Sequence, residues 1–95
     1  MSRFRFTWDP RKARTNERKH GITFEEAQSV FYDENAIEFY DNEHSEWEDR
    51  FLLLGTSSKL RLLMICHCFR EADGVIRIVS ARKATQRESV HYRRK

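Results

Sequence analysis

Lys12, Asn16, Lys19 and His20 follow one another at spacings of four, three and one residues, so a helix gathers them on one face. Two ammonium groups, an amide and an imidazole presented together suit phosphate binding and proton transfer. The plainer alternative is a solvated helix laid over a sheet edge. Further along the chain, Glu48, Arg50, Arg61, His67, Arg77, Arg82, Lys83 and Tyr92 add carboxylate, guanidinium, imidazole and phenol groups. RNA can be cut by such groups without a metal. A base removes the 2′-hydroxyl proton, cations stabilise the charge that grows on phosphorus, and an acid protonates the leaving 5′-oxygen. Histidine transfers protons near neutral pH, and arginine holds phosphate with two parallel hydrogen bonds. Each residue also has a structural reading: Arg50 can pair with Glu48, and His67 can be a packed strand histidine.

Other chemistries find little support. The three glycines, Gly21, Gly55 and Gly74, are isolated and each suits a turn or strand end, so no glycine-rich phosphate loop exists. No Ser-His-Asp order stands out. Cys66-His67-Cys68 has metal-ligand residue types, but on a strand the cysteines point to one face and the histidine to the other. No metal and no cofactor are expected.

The elements that must position these groups read clearly. Phe4, Phe6 and Trp8 alternate with Arg3, Arg5 and Thr7 as a half-buried strand does. Asp9 is an N-cap, Pro10 fits the first helical position and Gly21 the left-handed end, which bounds a helix with Ala13 as its single apolar residue. Thr23-x-x-Glu26 is a capping box that opens a second helix to about Phe31, with Phe24, Ala27 and Phe31 inward. Strand-like segments follow at 36–40, 50–55, 60–69 and 75–81, the last two joined by an Asp73-Gly74 hairpin signal. The segment 60–69 is apolar on both faces and belongs in the middle of a sheet. A second capping box, Thr85-x-x-Glu88, starts a final helix to about Arg93. The order β-α-α-β-β-β-β-α predicts an α+β domain, a small antiparallel sheet with two N-terminal helices and one C-terminal helix packed on it.

At 95 residues the chain makes one domain, 1–95, with a single modest core. Two cysteines are too few for a disulfide framework, no apolar run spans a membrane, and Met1-Ser2-Arg3-Phe4-Arg5 does not read as a signal peptide; a cytoplasmic location is expected. The net charge of +3 conceals an asymmetry. Residues 11–20 carry five Lys or Arg against one acid, residues 21–50 carry ten acids against Arg50, and residues 77–95 carry seven basic residues against Glu88. If the fold joins the basic segments, they form one positive face opposite an acidic one, suited to nucleic-acid phosphate.

The segments Trp8-Asp9-Pro10-x-Lys12, Asn16, Lys19-His20-Gly21-Ile22-x-Phe24, Glu25-Glu26-Ala27, Glu48-x-Arg50-Phe51, Gly55, Arg61-x-Leu63 and Arg77-Ile78-Val79-Ser80-Ala81-Arg82-Lys83-Ala84-Thr85, with Glu88 and Tyr92, resemble the BrnT family from about Phe6 to Tyr92. The resemblance implies the toxin of a bacterial type II toxin–antitoxin pair, a fold similar to RelE-type ribonucleases, RNA cleavage that arrests translation and growth, and neutralisation by a BrnA-type antitoxin that itself binds operator DNA. Its matched polar positions are Lys19, His20, Glu48, Arg50, Arg77, Ser80, Arg82, Glu88 and Tyr92. The chain departs from the family pattern in Ser89 after Glu88 and in the basic Arg93-Arg94-Lys95 after Tyr92. The residue and family readings combine into a metal-independent endoribonuclease with His20, Glu48, Arg50 and Arg82 as catalytic residues. Lys12, Lys19, Arg77, Lys83 and Tyr92 would contact RNA, His20 being the first candidate for proton transfer and Glu48 the second. Two rivals are a non-catalytic module acting with an antitoxin on operator DNA and, more weakly, a DNA-binding regulator in its own right. The aromatic residues Phe39, Tyr40 and Trp47 are candidates for the antitoxin contact.

Overall fold

The computed structural model describes residues 4–70 and 74–93, Arg70 by its backbone alone. Strand β1 (Arg5–Thr7) leads into α1 (Pro10–His20) and α2 (Phe24–Val30). Strands β2 (Ile37–Tyr40), β3 (Phe51–Thr56), β4 (Leu62–Arg70) and β5 (Val75–Lys83) follow, and α3 (Gln86–Arg93) closes the described chain. One 3₁₀ turn, Asn42–His44, lies between β2 and β3. The sheet order is β1-β5-β4-β3-β2. As the two-faced apolar pattern requires, β4 is central. The sheet is antiparallel except at one edge, where β1 runs parallel to β5. The two helices deliver β2 antiparallel to β1, and the three reversals from β2 to β5 then bring β5 parallel to β1, so the sheet is mixed.

Local chemistry sets the boundaries. The Asp9 carboxylate accepts from the Arg11 amide at 2.8 Å, and Gly21 ends α1 at φ 71°. Strand β4 starts at Leu62, later than the sequence pattern suggests, because the preceding turn holds Leu60 at φ 60° with its amide bonded to the Ser57 carbonyl. Gly55 lies inside β3 rather than at its end. A Cβ there would sit 2.8 Å from Val30 Cγ1 and 3.0 Å from the Ala36 Cβ, so the glycine lets α2 and the following loop close on the sheet. Of the Asp73-Gly74 signal, Asp73 lies outside the described residues; Gly74 is in a turn at φ 63°.

The core lies between the sheet and the first two helices. Ile22, Phe24, Ala27 and Val30 pack on Leu53, Leu63, Ile65, Ile78 and Ala81, with Phe6, Trp8 and Phe31 at the margin. Phe31 is the C-cap of α2 and only partly buried, so Val30 takes the inward position. The Glu26 carboxylate does not return to its capping box. It is buried against Arg61 and accepts from Ser57 Oγ at 2.6 Å, which holds its carboxyl below the usual range, chiefly through the Arg61 hydrogen bond.

Helix α1 buries an amide rather than an apolar stripe. Asn16 is 6% exposed; its Nδ2 donates to the Ile22 carbonyl at 2.9 Å and to the Ala81 carbonyl at 2.8 Å, and its Oδ1 accepts from the Ala81 amide at 3.0 Å. Strand β1 covers β5 only from Val75 to Arg77, so beyond that point Asn16 stands in for a neighbouring strand. Asn16 therefore belongs to the structure rather than to an exposed polar face. Asn16→Ala is expected to lower unfolding stability by about 2–3 kcal/mol. Asn16→Asp should cost more, because it turns a carboxylate toward two carbonyl oxygens. Urea denaturation of the three proteins measures both differences.

Candidate functional site

Strict alternation would set Arg77 and Arg82 on opposite faces of β5, five residues apart. They share a face because the strand carries a bulge. Cys66 pairs with Ser80 but His67 pairs with Ile78, which leaves Val79 as an extra residue on β5. Ile78 and Ala81 therefore both turn to the helical core. Arg77, Ser80 and Arg82 lie opposite Cys68, Cys66 and Met64, on the face away from α1 and α2. Helix α3 covers one part of that face, where His91 meets the ring of Phe39 at 5.8 Å.

The open part of the face is a cleft lined by Asp41, His44, Arg50, Ser80, Arg82 and Glu88, among others. Arg82 is clasped by Glu88 through two bonds, Nη1 to Oε1 at 2.8 Å and Nη2 to Oε2 at 2.9 Å. The Arg82 hydrogen bond holds the Glu88 carboxyl down at about 2, and the Glu88 carboxylate pushes the Arg82 guanidinium further up. Glu88 also completes its capping box: it accepts from the Thr85 amide at 2.9 Å, and Thr85 Oγ1 accepts from the Glu88 amide at 3.1 Å. Glu48 stands between two guanidiniums. It is hydrogen-bonded to Arg77 and lies 3.6 Å from Arg50. The bond to Arg77 keeps its carboxyl below the usual range. Nε of Arg50 and of Arg77 are buried donors with no acceptor among the described residues, so neither guanidinium is fully satisfied.

A second groove runs beside α1 and is lined by Arg11, Lys12, Thr15, Lys19 and His20 together with Val79 and Ser80 of β5. Its lining contains no acid. Val79 and Ser80 also line the arginine cleft, so the two depressions meet at the bulge. Among the described residues, Lys12, Lys19 and His20 make no ion pair within 4 Å. The surface does not divide into the one positive and one acidic face that the sequence suggested. The basic segments do meet, but Asp41, Glu43, Glu48 and Glu88 are folded onto the same surface as Arg50 and Arg82. The surface without acids is the α1 groove.

Most expected site residues therefore converge: His20, Lys12 and Lys19 in one groove, Arg50 and Arg82 in the adjoining cleft, with Glu48 and Arg77 extending it. Two stand apart. Lys83, exposed, ends β5 and lines neither depression. Tyr92, expected to touch RNA, instead ties α3 to the sheet: its hydroxyl donates to Asp33 Oδ2 at 2.7 Å and accepts from Thr56 Oγ1 at 3.1 Å. Arg61, bound to Glu26, is likewise structural. His67 is fully buried among Phe31, Phe51 and Phe69 with Glu38 at 3.3 Å, and burial pushes its imidazole down. Sequence reasoning missed His44 and Asp41, whose side chains meet in the arginine cleft at 3.0 Å. The Asp-x-x-His spacing of a single turn was the available signal.

The model of the ribonuclease toxin BrnT of type II toxin–antitoxin systems matches residues 8–88. This chain belongs to the BrnT family. The crystal structure of the Brucella abortus ribonuclease toxin BrnT has a similar fold: the TM-score is 0.65 at 22% identity, over 88% of this chain and 100% of that one. A comparison with curated proteins found none that matches. As a BrnT-family protein, the chain is a ribonuclease toxin of a toxin–antitoxin pair and has an antitoxin as partner. Among the described residues, no helix is long and apolar enough to cross a membrane.

The Arg82–Glu88 clasp has a testable pH signature. Glu88 titrates at about 2 in the folded chain against 4.5 when free. Its contribution is complete above pH 4.5 and is lost as pH falls toward 2. In acid-unfolding curves, Glu88→Gln should be less stable than the parent at neutral pH, and the gap should narrow below pH 4.5.

Proposed function

We propose that this BrnT-family protein cleaves RNA without a metal, by attack of a 2′-hydroxyl on the adjacent phosphate, at the junction of the α1 groove and the arginine cleft. The observation that carries the reading is the β5 bulge. It brings Arg77, Ser80 and Arg82 to one face and joins that face to the acid-free groove of Lys12, Lys19 and His20. In this reading Lys12 and Lys19 attract the RNA backbone, and Lys83 adds charge at the end of the strand. Arg50, Arg77 and Arg82 meet the phosphate on which negative charge grows. The carboxylates of Glu48 and Glu88 hold these guanidiniums extended before substrate arrives. Glu48 thus positions arginines instead of carrying a proton, and His20 transfers a proton from the groove side. The cleavage yields a 2′,3′-cyclic phosphate and a 5′-hydroxyl, and arrests translation. A BrnA-type antitoxin neutralises the toxin by covering the same surface, and the pair reaches operator DNA through the antitoxin. Trp47 at 95% exposure, and Tyr40 at 47% on the opposite face of the sheet beside Phe51, suit a protein contact. All these steps take place in the cytoplasm.

Purified, antitoxin-free protein incubated with RNA in excess EDTA should give discrete cuts bearing cyclic phosphate ends. Arg82→Ala and His20→Ala should each slow cleavage by about 100-fold or more with an unchanged circular dichroism spectrum. Cleavage that vanishes in EDTA and returns with a divalent cation would overturn the metal-independent reading. Intact RNA both free and on translating ribosomes would instead favour the non-catalytic partner of an antitoxin.

A further inference from the structure

Transesterification of RNA moves two protons, and the α1 groove supplies one imidazole. We propose that His44 is the general base of this reaction and that Asp41 is its positioning residue, an assignment that rests on the cleft being the place where RNA is cut. His44 is the last residue of the 3₁₀ turn, and its side chain is 63% exposed at the arginine cleft. Its Nδ1 lies 3.0 and 3.2 Å from the two oxygens of Asp41, while Nε2 has no partner among the described residues.

The carboxylate of Asp41 is buried, with a side-chain exposure of 7%, yet no Lys or Arg among the described residues pairs with it. Its contacts are His44 and the thiol of Cys66, which approaches to 3.9 Å. Backbone bonds fix the carboxylate in place. The Asp41 amide donates to the Arg50 carbonyl at 2.9 Å, Ser45 Oγ donates to the Asp41 carbonyl, and the Arg50 amide donates to Ser45 Oγ at 2.9 Å. One short turn therefore sets Asp41, His44 and Arg50 together. A buried carboxylate on Nδ1–H selects the tautomer with its lone pair on Nε2, and it stabilises the imidazolium that forms when a proton is taken.

The step balances without any added reagent. Nε2 of His44 takes the 2′-hydroxyl proton, O2′ bonds to phosphorus, and the bond from phosphorus to O5′ breaks. O5′ receives its proton from the His20 imidazolium on the other side of Val79 and Ser80. A later exchange with water returns both imidazoles to their starting states. The charged groups that face His44 across the cleft are Asp41, Glu43, Arg50, Arg82 and Glu88.

The test is steady-state cleavage of an RNA oligonucleotide by the full chain, with binding of a 2′-deoxy analogue measured in parallel. His44→Ala should lower kcat about 100-fold or more, leave analogue binding within about two-fold, and regain activity on addition of imidazole. Asp41→Asn should lower kcat about 10-fold or more with KM and analogue binding within about two-fold, and Asp41→Glu should recover part of the rate. If the parent cuts RNA and His44→Ala cuts at the same rate, or if added imidazole restores nothing, the assignment falls while the cleft reading stands. If the parent cuts neither free RNA nor RNA on ribosomes, both fall together.

Discussion

The arrangement depends on a single buried amide. Helix α1 has almost no apolar surface to hold it, yet it must lie against β5 for its cations to border the arginine cleft. Asn16 supplies that attachment by giving Ala81 the amide and carbonyl partners that a sixth strand would otherwise offer. Because a buried donor or acceptor left unpaired is costly, the bond fixes the register of helix against strand as well as their distance. The helix's remaining side chains are then free to be chosen for charge. A helix anchored by a leucine stripe would have had to turn those positions inward.

The bulge on β5 does for the strand what Asn16 does for the helix. A regular strand of this sequence would bury Ser80 with Ile78 and expose Ala81. With Val79 set aside as an extra residue, Ile78 and Ala81 join the core, and Ser80 and Arg82 face the cleft with Arg77. Placement of the cleft therefore comes from an irregularity between β5 and the central strand β4, where the ladder on either side can hold it.

Caps, turns and periodicity made much of this legible in the sequence. Asp9, Pro10 and Gly21 bound α1 as their chemistry requires, the two Thr-x-x-Glu boxes begin α2 and α3, and the doubly apolar β4 sits at the centre. What was not legible depended on pairing between distant segments. The parallel β1–β5 edge, the late start of β4 and the bulge follow from which strand lies beside which, a choice no local pattern records. The same holds for the site. Residue types marked out Arg50, Arg77, Arg82 and His20, but their division among carboxylate partners needed Glu48 and Glu88 folded over them. Tyr92, expected to contact RNA, has its hydroxyl bonded to Asp33 and Thr56. Glu26 kept its place in a capping box while its carboxylate went to Arg61.

Glu88 illustrates how tightly so small a chain shares its groups. One of its oxygens, Oε1, accepts both from Arg82 and from the first-turn amide at Thr85, so a single atom serves the cleft and the helix that borders it. Loss of that carboxylate would therefore loosen the guanidinium and the start of α3 together, because one oxygen holds both.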